Sequence, residues 1–258
     1  APHVTAVVAL LQEWADRQIR SADQNWSLDA RGPMVMKAVL LNSADKLADS
    51  GNGLLLGMSR TLYDESNLTW LDSDAYRDPT RPLHSDLGTG HLNASRALQQ
   101  LQGGQWSVAD PVPVIGWSFG TAESPLPPEI PRTETAVLQR DYVFDQPLRG
   151  GSYLSATLTW ERLVVLDDAN DNGLYDFEET FNDRGLNNLD LYLMRAEDDD
   201  IANSVWSSIS EVDSLEHIFA QVPTTGQYKL RVVYRQQIED DLAQDYALAW
   251  WAVADTAE

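Results

Sequence analysis

The sequence contains no cysteine. Disulfides, Cys-based zinc sites and thiol catalysis are excluded, and the redox compartment stays open. There is no run of about 18 apolar residues, so no membrane-spanning helix is expected. No basic segment followed by an apolar core opens the chain, so no signal peptide is visible; in a fragment that absence says nothing about secretion. Positive charge is scarce. Lys and Arg number 18 against 40 Asp and Glu, a formal net charge of -22. The imbalance is lopsided: residues 1–140 hold 16 acids and 11 bases, and residues 141–258 hold 24 and 7. An acidic surface repels phosphate backbones, so nucleic acid is not an expected partner, whereas calcium or a saline medium suits it. Histidine is limited to His3, His84, His91 and His217. His84, Ser85 and Asp86 are sequence neighbours, but a catalytic triad is a matter of geometry. The plain readings are a loop residue for His84, a helix-start residue for His91 and a packed or edge strand residue for His217.

What is present is a packed chain, 43% hydrophobic over 258 residues, enough for one or two domains. Val4, Val7, Val8, Leu11 and Trp14 follow helical spacing within 3–20, and Ala6, Ala9 and Leu10 extend the apolar surface round the helix. Pro33 marks a second helix start, with "MVMKAVLLNSADKL" continuing it. Residues 51–90 are rich in Gly, Asp, Pro and Ser and read as loop, and 91–101 as a short helix. Prolines cluster in 103–132, which reads as a linker or a strand-rich seam. Beyond it the period changes to two. Leu154, Ala156, Leu158 and Trp160 share one face, as do Leu189, Leu191 and Leu193, and Tyr228, Leu230, Val232 and Tyr234. Residues 246–253 form another strand. Short strands with turns between them indicate an antiparallel β-sandwich. Trp160, Trp206, Trp250 and Trp251 could offer a sugar-stacking surface, though core packing is the commoner fate of strand aromatics.

The sharpest local motif is "DANDNGLYDFEE" at 168–179, which fits D-x-[DN]-x-[DN]-G-x5-E throughout. Calcium takes six to eight hard oxygen ligands at long, flexible distances. Asp168, Asn170 and Asn172 would aim alternate side chains inward, and Gly173 would allow the turn. Leu174 would offer its carbonyl, Asp176 the ninth position and Glu179 a bidentate carboxylate. Tyr175 stands where such loops carry an aliphatic residue that pairs them, so a solitary loop is expected. No helices flank it: the preceding stretch reads as extended and the following "TFNDRGLNN" as loop. The expectation is a structural Ca2+ loop inserted between strands of the sandwich.

"APHVTAVVALL" (1–11) resembles the helix that carries the nucleophile in subtilisin-like serine endopeptidases, whose signature runs Gly-Thr-Ser-x-Ala-(Ala/Ser)-Pro-His-Val. Ala1, Pro2, His3 and Val4 match its last four positions. "KAVLLNSADKL" (37–47) looks like the next helix of that family, and "GTGHLNASRAL" (88–98) is similar to its closing Gly-x-Gly-x-(Val/Leu)-Asn-Ala helix. "LSATLTW", "NNLDLYLM", "SLEHIF" and "YALAW" resemble the pre-peptidase-type C-terminal β-sandwich found after bacterial secreted proteases.

The resemblance implies a mixed fold: the C-terminal part of a subtilisin-like α/β domain over 1–102, a linker or seam over 103–126, and an all-β, jelly-roll-like sandwich over 127–258. It implies that the Ser, His and Asp of the triad lie upstream, that His3 packs behind the Ser helix, and that this chain holds no catalytic residue. The intact parent would be secreted and would hydrolyse peptide bonds. Its partners would be a protein or peptide substrate and the upstream part of its own catalytic domain. The helices at 3–20 and 33–47 would then pack on a parallel sheet. The alternative is a non-catalytic, calcium-binding β-sandwich module that binds a glycan or a protein surface.

Overall fold

A computed structural model of the chain describes residues 1–21, 26–123, 138–236 and 243–255. The helices are α1 (Pro2–Arg20), α2 (Pro33–Asn42), α3 (Asp74–Arg77) and α4 (Ala94–Gln102), with single 3-10 turns at Leu28–Arg31, Trp70–Asp72 and Ile201–Asn203. The strands are β1 (Ile115–Glu123), β2 (Leu138–Val143), β3 (Tyr153–Trp160), β4 (Leu163–Asp167), β5 (Thr180–Gly185), β6 (Asn188–Arg195), β7 (Trp206–Ser208), β8 (Leu215–Gln221), β9 (Tyr228–Gln236) and β10 (Ala243–Trp251). Two antiparallel four-stranded sheets, ordered β1-β10-β3-β8 and β2-β9-β6-β7, form the sandwich, and β4 and β5 pair only with each other.

The period-two pattern places the core. Leu154, Ala156, Leu158 and Trp160 of β3 face Leu189, Leu191 and Leu193 of β6 and Tyr228, Leu230, Val232 and Tyr234 of β9 in one buried cluster. Trp160 and Trp250 belong to it, Trp251 packs in a neighbouring cluster, and Trp206 is half-buried and stacked on Tyr76. The four tryptophans therefore form no open stacking platform.

The alternate face of the first sheet is buried as well. α2 lies across β3 and β10, where Ala247 and Ala249 and the small Ser155 and Thr157 let a helix approach closely. Val35, Met36 and Val39 of α2 are at most 2% exposed there, each worth about 1.5–3 kcal/mol of burial. α4 covers Trp117 of β1, whose indole Nε1 donates to the Leu101 carbonyl at 3.0 Å. The 45–88 layer covers the β8 end, where Trp70, Met58 and Leu56 pack on Phe219 and Trp251. In this chain the helices rest on an antiparallel sheet of the sandwich. α1 is covered only along Val7, Leu11 and Ala15, while Val4 and Leu10 are exposed.

Two boundaries differ from the sequence reading. β1 lies inside 103–126, so the sandwich takes its first strand from the expected linker or seam. The 127–137 part of the expected sandwich domain falls outside the described residues. α2 ends at Asn42 rather than running to Leu47, because Asp45 exchanges backbone hydrogen bonds with His91 at 2.8 and 2.9 Å. Gly90 makes that pairing possible: its φ is +126°, and a Cβ there would stand 2.3 Å from the Asp45 carbonyl oxygen. The 51–57 loop is folded round one carboxylate. Burial works against the Asp49 anion, yet the N–H groups of Gly57, Gly51, Gly53 and Leu55 outweigh it and hold its carboxyl below the usual range.

Glu216 of β8 is fully buried, bonded by the Ser208 hydroxyl and by the Ser210 N–H at 2.6 Å. Burial pushes its carboxyl up to about 9. The folded chain keeps this proton while the unfolded chain releases it above about 4.5, so stability falls as pH rises between those values, by up to about 1.4 kcal/mol per unit. Glu216→Gln carries no titrating proton in either state. Its melting temperature is expected to gain on the wild type steadily from pH 5 to pH 8, and parallel curves would show that Glu216 ionises freely in the fold.

Candidate metal centre

The 168–179 loop caps the β4–β5 hairpin, with antiparallel pairing running from Leu163↔Gly185 to Asp167↔Thr180. The stretch after the loop, read as loop from sequence, is strand β5. The hairpin is inserted between β3 and β6 and extends neither sheet.

All six expected ligand positions lie in this loop, and the structure shows what each does. Asp168 accepts the N–H of Asn172 at 3.2 Å and of Gly173 at 2.5 Å. These donors, Gly173 first, hold its carboxyl below the ordinary range. Glu179 accepts from Ala169 N at 3.0 Å and Asp176 N at 2.8 Å, tying the last position of the loop to its start. Asn170 and Asn172 both turn their amide Nδ2 to Asp176 Oδ2 at 2.7 Å. Leu174 donates its N–H to Asn172 Oδ1 at 2.6 Å. Gly173 has φ +74° and Asp171 φ +56°, the left-handed turn that the glycine was expected to supply. Tyr175 stacks on Phe181 of β5, ring centroids 5.5 Å apart, so the position that would pair two loops serves its own hairpin.

The donor set is that of a hard cation: three carboxylates, two amide oxygens and a carbonyl within twelve residues. The arrangement is closed on internal N–H donors. Among the described residues no group of three or more His, Asp or Glu is disposed to hold a metal ion. Ligation here requires Asn170 and Asn172 to turn their oxygens inward, a rotation of two exposed amides. Phe177 is 92% exposed and Leu174 69% exposed beside it.

The four histidines sit apart. His3 is exposed on α1. His91 is exposed, with Nδ1 2.9 Å from the Leu92 carbonyl and Nε2 3.5 Å from Arg60. His84 is buried; its Nδ1 accepts the N–H groups of Asp86 and Leu87, and its Nε2 lies 3.8 Å from Asp64. His217 is buried with Nδ1 2.8 Å from Thr157 Oγ1. Burial, and secondarily Lys46, hold it well below the usual imidazole range. Among the described residues no imidazole nitrogen meets a serine hydroxyl. Ser85 donates to Asp86, its chain neighbour, at 3.1 Å.

The sequence reading passed over a second group, Asn42, Asp45, Lys46, Trp70 and Arg96. Asn93 Nδ2 reaches both Asp45 oxygens at 3.1 Å, and Arg96 Nη1 donates to the Ser43 carbonyl at 2.7 Å and lies 3.5 Å from Asp45. The signal was available: "NSADK" places five polar or small residues at the end of an apolar helix, where a helix end facing solvent would not need them buried.

Comparison of the chain with protein-family models and with curated proteins finds no match.

Calcium tests the loop directly. In millimolar calcium the melting temperature of the chain is expected to rise, and the rise is expected to disappear in Glu179→Gln, which keeps one acceptor oxygen but removes the charge. An unchanged wild-type melt would remove the ion from this loop.

Proposed function

We propose that the chain is the C-terminal portion of a secreted, calcium-stabilised subtilisin-like serine endopeptidase, with the β-sandwich as an accessory unit. The parent would hydrolyse peptide bonds. This chain would supply the helix behind the nucleophile and the helices that close the catalytic domain, while Ser, His and Asp of the triad come from upstream sequence. Acyl transfer needs a nucleophile beside a base and donors aimed at the oxyanion. The partners of the four histidines described above offer no such pair, so the chain alone is proposed to be inactive.

The observation that carries the reading is convergence. The three stretches that resemble the protease, 1–11, 37–47 and 88–98, are far apart in sequence and meet in one body. Asp45 pairs with His91, Asn93 and Arg96 bond the end of α2, and α1 lies beside them. Together they line an apolar groove of about 530 Å³, with Val4, Val8, Met36, Leu40, Leu41 and Leu92 in its walls. A groove of this composition is a docking face for further apolar structure, and the upstream part of the catalytic domain is the occupant this reading assigns to it. In the loop at 168–179, Asp168, Asn170, Asn172, Leu174, Asp176 and Glu179 would hold Ca2+. The ion would offset the mutual repulsion of the carboxylates and stiffen a hairpin that no neighbouring strand supports.

The deciding experiment reads the coding frame upstream of the Ala1 codon and treats its product with a fluorophosphonate probe. The expected result is Gly-Thr-Ser-x-Ala immediately before Ala1, labelling of that serine in the long product, and no labelling of residues 1–258 alone. An open frame without that sequence, or labelling of the short chain, would overturn the proposal.

A further inference from the structure

A second site lies between the 45–88 layer and the outer face of β8, and it does not depend on the protease reading. Lys46 is 0% exposed. Its Nζ has one hydrogen bond, to the Ala44 carbonyl at 3.5 Å, and otherwise lies 5.2 Å from the centroid of the Trp70 ring and 5.0 Å from that of Phe219. Trp70 meets His217 edge-to-face at 5.9 Å and His84 at 5.8 Å. Trp70 Nε1, His217 Nε2 and Arg96 Nη2 are buried and have no hydrogen-bond partner.

The charges do not balance. Asp45 is the buried carboxylate of this group, and its oxygens are taken by the Ser59 hydroxyl at 2.5 Å, by Asn93 and by Arg96. Asp49 acts on Arg96 from further away, with its oxygens committed to four backbone N–H groups. As ammonium and guanidinium, Lys46 and Arg96 would share one neighbouring anion, and burial first, then the charge of Arg96, push the Lys46 ammonium well below its usual range. Aromatic faces offset part of the cost of enclosing an ammonium group, but not the whole of it. Unpartnered buried donors are rare in folded chains, and three polar side chains without a full set of partners surround this lysine.

We propose that this seam binds one small inorganic anion of the halide class, with the Lys46 ammonium as its counter-ion and Trp70 Nε1–H as a second donor. A cation is excluded by Lys46 itself. An organic anion is disfavoured because Lys46, Trp70, His217 and Phe219 are each at most 3% exposed, so an occupant has no route by which a polar tail reaches water. The ion acts structurally, closing the charge between the helical layer and the sandwich.

The test melts the full chain at constant ionic strength, with sodium gluconate replaced stepwise by sodium chloride or bromide to about 0.5 M. Generic screening of the net negative charge is the same in each salt. The expected result is a rise of about 2–4 °C in halide. Lys46→Met, whose thioether suits an aromatic cage, is expected to abolish that rise. Crystals soaked in bromide are expected to show an anomalous peak in contact with Lys46 Nζ. Equal melting in gluconate and halide, a halide rise that persists in Lys46→Met, or a bromide map without a peak at Lys46 would each overturn the proposal; the last result would mean that Lys46 is enclosed as the neutral amine. If Lys46→Met does not fold, Trp70→Phe, which deletes one donor and keeps the ring packing, is expected to reduce the halide rise, and an undiminished rise would remove Trp70 from the site.

Discussion

The fold depends on one buried amide pair. Asn42, the last residue of α2, donates Nδ2–H to Gln100 Oε1 of α4 at 2.7 Å. Gln100 spends its own two N–H bonds on the carbonyls of Gly116 and Trp250, both at 2.8 Å, across the β1–β10 pair. Asn42 Oδ1 accepts the hydroxyls of Ser155 and Thr157 on β3. Both amides are completely buried, so every unmet bond would cost a desolvation penalty of about 1–3 kcal/mol. A set of bonds this connected fixes where two helices sit on three strands. Apolar packing alone, as between Val39 and Ala249, would tolerate sliding; the amides do not.

A similar constraint shapes the chain just after α2. The helix stops because Asp45 must meet His91, and the chain can come that close because residue 90 has no side chain. Arg96 then gathers the freed carbonyls of Ser43, Ala44 and Leu56. The guanidinium replaces the capping bonds a helix end would otherwise take from water. The stretches 37–47 and 88–98 are thus joined by backbone and charged contacts, while 1–11 packs beside them through apolar side chains. The same contacts leave Lys46 enclosed with one hydrogen bond, to the Ala44 carbonyl.

The sequence made the inner core legible because alternation encodes it: Leu154 to Trp160, Leu189 to Leu193 and Tyr228 to Tyr234 all point where period two sends them. It made α1 and the start of α2 legible through their apolar spacing and Pro33. It did not reveal the outer face of the first sheet, since period two places Ser155 and Thr157 only opposite the core, and they are buried against Asn42. Lys229 and Arg231 stand opposite the core on β9, yet both are enclosed, bridged to Asp141 and to Asp199. Polar alternation marks a face that avoids the core; it does not distinguish water from a partner that supplies matching polar groups. The hairpin loop was legible in its composition and its turn, but β5 was not, because "TFNDRG" lacks alternation and its only partner is β4.

These contacts bear on where the chain divides. By sequence texture the break falls at 103–126, where helical periodicity gives way to strands. By physical contact no break exists there. β1 arises inside that segment and its Trp117 is sealed by α4, while β3 and β10 use one face for the sandwich core and the other for α2. Removing the helices and the 45–88 layer would expose Trp117, Phe219 and Trp251 together with hydroxyls whose partners are on α2. The helical part and the sandwich are therefore one cooperative unit in the structure, joined by a dry interface that carries its own polar bonds. An accessory sandwich fused in this way to the helices of a larger domain would transmit its own stability to them, and a rigid hairpin held by calcium would add to that stability only through β3 and β6, the two strands that flank it in the chain.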